Sequence, residues 1–327
     1  MNVAIVKLSS VGDVVHALPV AAALRSRFPL GRVTWVVERR EAALLRGNPD
    51  LDDVVSVDTR SWRRLQDLTS IRDMLGRLRR ARFDVAVDLQ GLLKTGLLTA
   101  ATGARIRIGL AALRCREPVN ALFTNRRVAP PASARHVVDQ LLSLLAPLGA
   151  TTGPPTFRLP SEPGAEEAAE AFFMGHGLKE TDRVVVLNPG AGRADKRWPV
   201  SRFVELACRL RLEVGATVVV AWGPFEVEQA RAIAEGAAAL LAPPTNLDGL
   251  LALLRRIRVM VAADTGPLHL AAALGIPCVG LYGPTDPTRN GPYGAGHRIL
   301  HATNRTMGSL AAAPVVRAVA ELLDERR

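Results

Sequence analysis

Residues 258–287 read RVMVAADTGPLHLAAALGIPCVGLYGPTDP. An apolar run, Val259 to Ala263, ends on the carboxylate Asp264; a helix-like segment over 266–274 follows, and then a second apolar run, IPCVGLYG. Strand, helix, strand in so short a span is the pattern of a parallel pair joined by a crossover helix. At the turn, Thr265 and Gly266 would aim backbone N–H groups out of the sheet's carboxyl edge, a place for a diphosphate. His269, one turn into the helix, is in reach of the same anion or of a sugar hydroxyl. In isolation the segment has a plainer reading, with Asp264 as a helix cap and His269 as a packed or solvated helix residue.

The same alternation extends in both directions. Ahead of this stretch come RVVVLN with a helix over 199–214, ATVVVAW with a helix over 225–235, and a short run near 239 with a helix over 246–256. The first half runs VAIVKL, helix 14–28; VTWVV, helix 39–47; VVSV, helix 61–80; FDVAVDL, helix 92–100; RIRIGL; and a helical pattern over 134–148. Between the halves lies LGATTGPPTFRLPSEPG, whose Gly, Pro, Ser and Thr content predicts a linker. The expected fold class is α/β: two doubly wound domains facing a cleft, residues 1–155 and 165–310, with ligands at the carboxyl ends of the strands. A last amphipathic segment, 311–327, is expected as a helix that can pack back on the first domain.

At 327 residues, 48% hydrophobic and 22% charged, the chain has the composition of a soluble two-domain protein. No run of 18 or more apolar residues predicts a membrane span, and the sequence opens directly on a strand pattern, which together predict a cytoplasmic protein. Cys115, Cys208 and Cys278 are too scattered for a disulfide framework or a zinc site and are expected to be buried small hydrophobes. The net charge of +11 is unevenly placed: residues 1–160 hold 24 Lys and Arg against 13 Asp and Glu, whereas residues 161–327 hold 18 of each. The basic half predicts an anionic partner, although an arginine-rich genome would contribute to the same numbers. Only Lys7, Lys94, Lys179 and Lys196 are lysine, so each retained lysine is a candidate for a site that needs a compact ammonium.

VVVLNPGAGRADKRWP places a small-residue loop and Lys196 after a strand, suiting close backbone approach to a ligand and a point charge for phosphate oxygens; a solvated surface loop is the alternative. AWGPFEVEQA places Glu226 past another strand end, where it would take ribose hydroxyls or simply favour a helix start. At the amino end, SSVGDVVHALP sets Ser10, Gly12 and Asp13 after the first strand. Ser10 to Asp13 fits a capping box, while the position also suits a carboxylate that accepts a proton from an attacking hydroxyl. Arg60, Arg63 and Arg64 around Trp62, with Gln90 and Lys94, are candidate holders of carboxylates or phosphates, a solvated helix face being the alternative for the arginines. No GxGxxG follows the first strand, GAGRADK lacks P-loop spacing, and in the second half neither a DxD pair nor a histidine cluster signals a metal or other cofactor.

Five segments together, KLSSVGDVVHALP, VDLQGLLKTG, RHVVDQLLSLL, NPGAGRADKRWP and VAADTGPLHLAAALGIPCVGLYGPTDP, resemble the lipopolysaccharide heptosyltransferases of glycosyltransferase family 9, most nearly the heptosyltransferase I branch. They cover nearly the whole chain in order. The resemblance implies two Rossmann-like domains of the glycosyltransferase B type, ADP-heptose held mainly by the second, and an anionic Kdo-containing lipid acceptor held by the first. It further implies metal-independent, inverting transfer by a monomer in peripheral contact with the cytoplasmic face of the inner membrane. Asp13 then matches the general base, and Lys196, Glu226, Asp264, Thr265, Gly266 and His269 match the donor site. Heptosyltransferase I members carry a Thr pair in the loop before the lysine; Ala191 and Gly192 stand here, as in the II and III branches.

Two other functions keep part of this pattern. A nucleotide-sugar 2-epimerase shares the architecture but would need further acid and base groups beside the donor. The basic pI would suit a nucleic-acid binder, yet 4% aromatics and no nucleic-acid motif argue against one.

Overall fold

The computed structural model describes residues 1–59, 62, 68–150 and 153–325. The chain divides between Pro160 and Ser161, inside the Pro-rich linker, into two compact units.

The first unit runs β1 (Asn2–Val6), α1 (Val11–Arg27), β2 (Arg32–Glu38), β3 (Asp53–Val57), α2 (Leu68–Arg80), β4 (Val85–Asp88), α3 (Leu93–Ala101), β5 (Ile106–Leu110), β6 (Arg126–Val128) and α4 (Val137–Ser143). Its six strands are all parallel in the order β3-β2-β1-β4-β5-β6. Strands buried on both faces need no polar alternation, which is why VAIV and the first three residues of VAVD read as continuous apolar runs. Ala4, Val6 and Leu8 join Val36, Val55, Leu78 and Ala86 in one core layer, while Val3, Ile5 and Lys7 point to the opposite face.

The second unit runs α5 (Pro163–Gly175), β7 (Val184–Asn188), α6 (Val200–Val214), β8 (Thr217–Val220), α7 (Val227–Ala237), β9 (Leu240–Leu241), α8 (Leu247–Arg255), β10 (Val259–Ala263), α9 (Gly266–Ala273), β11 (Cys278–Tyr282), α10 (Pro287–Asn290), β12 (Arg298–His301) and α11 (Ala312–Asp324). The strand order β12-β11-β10-β7-β8-β9 is again parallel throughout and repeats the topology of the first sheet. In such sheets ligands collect where the strand order reverses, here between β1 and β4 and between β7 and β10.

Several elements depart from the sequence reading. The helix expected over 39–47 is a single 3-10 turn, Ala42–Leu45, and that over 134–148 is split into α4 and a 3-10 turn, Ala146–Leu148. The linker pattern hides the start of α5, because Pro163 occupies its first turn and Glu162 caps it by accepting from the Ala165 N–H. β6 is three residues, Arg-Arg-Val, with no apolar run to betray it. The last helix, expected to pack back on the first domain, instead completes the core of the second: Val315, Val316, Val319 and Leu322 lie with Phe203, Leu206, Val261 and Val279. Its apolar face is occupied by α6 and the second sheet. Cys278 is fully buried; Cys115 and Cys208 are half-buried. Among the described residues no helix is long and apolar enough to cross a membrane.

Candidate active site

In the second unit, the reversal point gathers Lys196, Asp264, Thr265, Gly266 and His269. Asp264 directly follows β10 and is buried. Lys196 Nζ donates to its Oδ2 at 2.7 Å, and His269 Nε2 lies 3.1 Å from its Oδ1. Burial would raise the Asp264 carboxyl, but the His269 and Lys196 hydrogen bonds and the ammonium charge outweigh it and bring the pKa down to about 2. Asp264 is therefore an anion that orients two other groups, and not the cap of the alternative reading. Thr265 holds the N-cap position, its Oγ1 donating to the Ala263 carbonyl at 3.1 Å. The first turn of α9 leaves backbone N–H groups facing outward at Gly266. His269 is buried beneath this turn, where its Nε2 braces Asp264.

The loop after β7 carries Lys196 to this point. Arg197 Nε holds the Ala191 carbonyl at 3.1 Å, and Trp198 Nε1 donates to the Leu310 carbonyl at 2.9 Å, pinning the loop's far end. Glu226 stands at the head of α7 but does not cap it. Its Oε2 accepts from the Gly223 N–H at 2.8 Å, and its carboxylate lies directly on Gly190, where a Cβ would collide with it. A side chain at 190 would have to displace the Glu226 carboxylate from this place. Glu226 bridges the loops after β7 and β8 at the same sheet edge as Lys196.

In the first unit, the loop after β1 passes through a cis Ser9–Ser10 peptide into α1. Asp13, third residue of that helix, accepts at Oδ2 from the Ser10 N–H and from the Ser10 hydroxyl, each at 3.1 Å. Its other oxygen, Oδ1, lies 3.4 Å from Lys7 Nζ. Lys7 is buried, and its ammonium also donates to the Leu89 carbonyl at 3.1 Å. Burial would raise the Asp13 carboxyl, but the Lys7 charge and the Ser10 donors prevail and hold it below its ordinary value. Asp13 does the work of a cap with one oxygen and presents an ionised second oxygen beside Lys7. Gly12 lies inside α1 and is buried.

Gln90 takes a different role from the one its position suggested. Its Oε1 accepts from the Leu8 N–H at 2.7 Å and its Nε2 donates to the Ser9 carbonyl at 3.0 Å, so the amide struts the Asp13 loop. Behind it, Asp88 accepts from the Gln90 and Gly91 N–H groups and from Asn120 Nδ2, and burial keeps its carboxyl above the ordinary value despite those donors. Lys94 Nζ donates to Thr59 Oγ1 at 3.2 Å and lies 3.7 Å from Glu38 Oε1, at the carboxyl edge of the same sheet. Arg60, Arg63 and Arg64 lie outside the described residues. Asp88 and Asn120 carry no sequence signal of their own, whereas Lys7 is marked by its rarity, one of four lysines in an arginine-rich chain. A concavity of about 310 Å³ lined by Gly275, Pro277, Tyr293 and His297 opens at the opposite, amino edge of the second sheet, away from these groups.

Comparison with known proteins places the chain. Residues 71–313 match the model of glycosyltransferase family 9 (heptosyltransferase). Lipopolysaccharide heptosyltransferase 1 of Pseudomonas aeruginosa is 34% identical over 305 residues, 90% of this chain and 82% of that protein. The heptosyltransferase 1 of Escherichia coli K12 is 31% identical over 98% of this chain and all of its own length. The E. coli heptosyltransferase WaaC, solved with ADP-2-deoxy-2-fluoro heptose, superposes with a TM-score of 0.80 at 29% identity, each chain covered in full. With two doubly wound units and matches along its length, the chain belongs to glycosyltransferase family 9, the heptosyltransferase family.

Proposed function

We propose that this family 9 glycosyltransferase moves a heptose from ADP-heptose to a Kdo-containing acceptor of the lipopolysaccharide inner core, in the manner of heptosyltransferase I. The observation that carries this reading is the full-length similarity to heptosyltransferases 1 at 31–34% identity. The α9 N-terminus with Lys196 takes the diphosphate, since backbone N–H groups and a compact ammonium both suit phosphate oxygens. Glu226 takes the ribose hydroxyls. Asp13 accepts the proton of the acceptor hydroxyl as that oxygen bonds to the anomeric carbon; the bond to the diphosphate breaks, ADP leaves with the electron pair, and the configuration inverts. No metal takes part, and Lys196 and the helix end bear the leaving group's charge. Lys94 and the arginines at 60, 63 and 64 supply cations for acceptor carboxylates or phosphates. The protein works as a monomer in the cytoplasm, in peripheral contact with the membrane that carries the acceptor.

The test is incubation with a panel of nucleotide sugars and delipidated Kdo acceptors, with and without chelator, followed by mass detection. A product one heptose heavier than the Kdo acceptor, formed equally with chelator, is expected. Transfer only to an acceptor that already bears heptose would move the enzyme to the II or III branch, as Ala191 and Gly192 would suit, and loss of activity with chelator would overturn metal-free transfer.

A further inference from the structure

Eleven large apolar side chains are exposed among the described residues, and five of them, Leu93, Leu97, Leu113, Val119 and Leu122, fall between residues 93 and 122. The other six are scattered through the chain, as single exposed apolar residues usually are. The five belong to elements that pack on one another. Leu93 and Leu97, four apart on α3, share one helix face. Val119 and Leu122, three apart, eclipse each other on the 3-10 helix Pro118–Phe123. That helix lies so close to α3 that a Cβ on Gly96 would stand 2.6 Å from Phe123 Cδ2. Leu113, on the turn Ala112–Arg114 that packs against the same 3-10 helix, is 97% exposed, and Leu122 is 74% exposed.

The surroundings are cationic. Residues 93–127 contain seven Lys and Arg, at 94, 105, 107, 114, 116, 126 and 127, against one carboxylate, Glu117. Arg105, Arg114, Arg116, Arg126 and Arg127 are exposed. Glu117 is itself exposed, and its carboxylate is engaged by the backbone, accepting from the Leu93 N–H at 2.6 Å. Among the described residues none of these arginines is paired with a carboxylate; Arg107 and Arg127 donate to main-chain carbonyls. The patch is also continuous with the Asp13 loop. The Glu117 N–H bonds the Gly91 carbonyl at 3.0 Å, and neighbouring Gln90 holds Leu8 and Ser9.

We propose that Leu93, Leu97, Leu113, Val119 and Leu122, rimmed by Arg114, Arg116, Arg126 and Arg127, form the surface by which the first unit sits on an anionic lipid bilayer. Apolar side chains enter the headgroup boundary while the guanidinium groups meet lipid phosphates, the two signals that together give a stable but reversible attachment. The arrangement brings the bilayer to the edge of the sheet that carries Asp13, where the headgroup of a membrane-held acceptor has to arrive. The purpose of the surface rests on the lipid-acceptor reading; its existence does not.

The experiment is co-sedimentation of the full-length protein with vesicles of phosphatidylethanolamine and phosphatidylglycerol, and with vesicles of phosphatidylcholine alone, without donor or acceptor. The protein is expected to sediment with the anionic vesicles only. The exposed pair L113Q/L122Q should lower the vesicle partition coefficient about tenfold or more, given the worth of a buried leucine side chain. R114Q/R116Q/R126Q should weaken it comparably and flatten its salt dependence. L30Q, at a fully exposed leucine elsewhere in the same unit, is the control and should change nothing. No sedimentation with anionic vesicles, equal sedimentation of L113Q/L122Q, or self-association of the wild type that L113Q/L122Q abolishes would each overturn the proposal. Transfer to a delipidated acceptor is measured separately, so the surface can fail while the transferase reading stands.

Discussion

The two sheets share one strand order, and at each reversal point a lysine meets an aspartate, yet the two pairs are built in opposite senses. In the first unit the ammonium is buried and the carboxylate is open: the side chains of Lys7 and Asp13 are 5% and 46% exposed, with 3.4 Å between them. In the second the carboxylate is buried and the ammonium is the more open partner: Asp264 is 7% and Lys196 19% exposed, at 2.7 Å. A buried member of an ion pair serves the exposed one by fixing its position and its charge. The first edge accordingly presents an anion suited to accept a proton. The second presents a cation, over a helix N-terminus, suited to phosphate. One topology thus presents an open carboxylate in one unit and the more open ammonium beside a helix N-terminus in the other.

The largest effect that would break this contrast is expected at Asp13. Asp13→Asn should lower kcat by about two orders of magnitude or more, the scale of a positioned general base, with ADP affinity unchanged. Near-normal turnover would leave Asp13 only its bonds to Ser10. Next comes Lys196→Ala, which should weaken ADP binding roughly tenfold to a hundredfold, for a charge-assisted contact worth about 1.5–3 kcal/mol. Unchanged affinity by calorimetry would move the diphosphate elsewhere.

The smallest effect tests the buried partner. Asp13 is held below its ordinary pKa by the Lys7 charge acting against burial. A carboxylate so held is ionised down to lower pH, so removing the ammonium in Lys7→Met should raise its pKa and move the acid limb of the kcat/KM profile to higher pH. ADP binding should stay as it was. A Lys7→Met enzyme with an unshifted acid limb would reduce Lys7 to packing and to its bond with Leu89.

Much of this was legible in the sequence because parallel, doubly covered strands must be apolar throughout, and helices between them must follow the helical period. VAIVKL, FDVAVDL, RVVVLN and RVMVAAD declared themselves in that way. So did the residues at their carboxyl ends, since a polar group directly after a buried strand emerges at the ligand edge. β6 and α5 escaped because a three-residue charged strand and a helix opened by Pro163 carry no such signature.

The two-unit α/β pattern, the uneven charge and the identity of the residues at the strand ends can be read along the chain. Their partners emerge only on folding. Gln90 became a strut and not an open amide, His269 a buried brace, Glu226 a bridge resting on Gly190, and α11 part of the second core. Lys7 and Asp13 are close enough in sequence to be suspected, but Lys7 is held by distant groups: Trp35 Nε1 donates to its main-chain carbonyl and its ammonium donates to the Leu89 carbonyl. Local pattern records which groups reach an edge. The exposure and ionisation of each group there are set by side chains contributed from distant parts of the chain, and these come together only when the sheet is assembled.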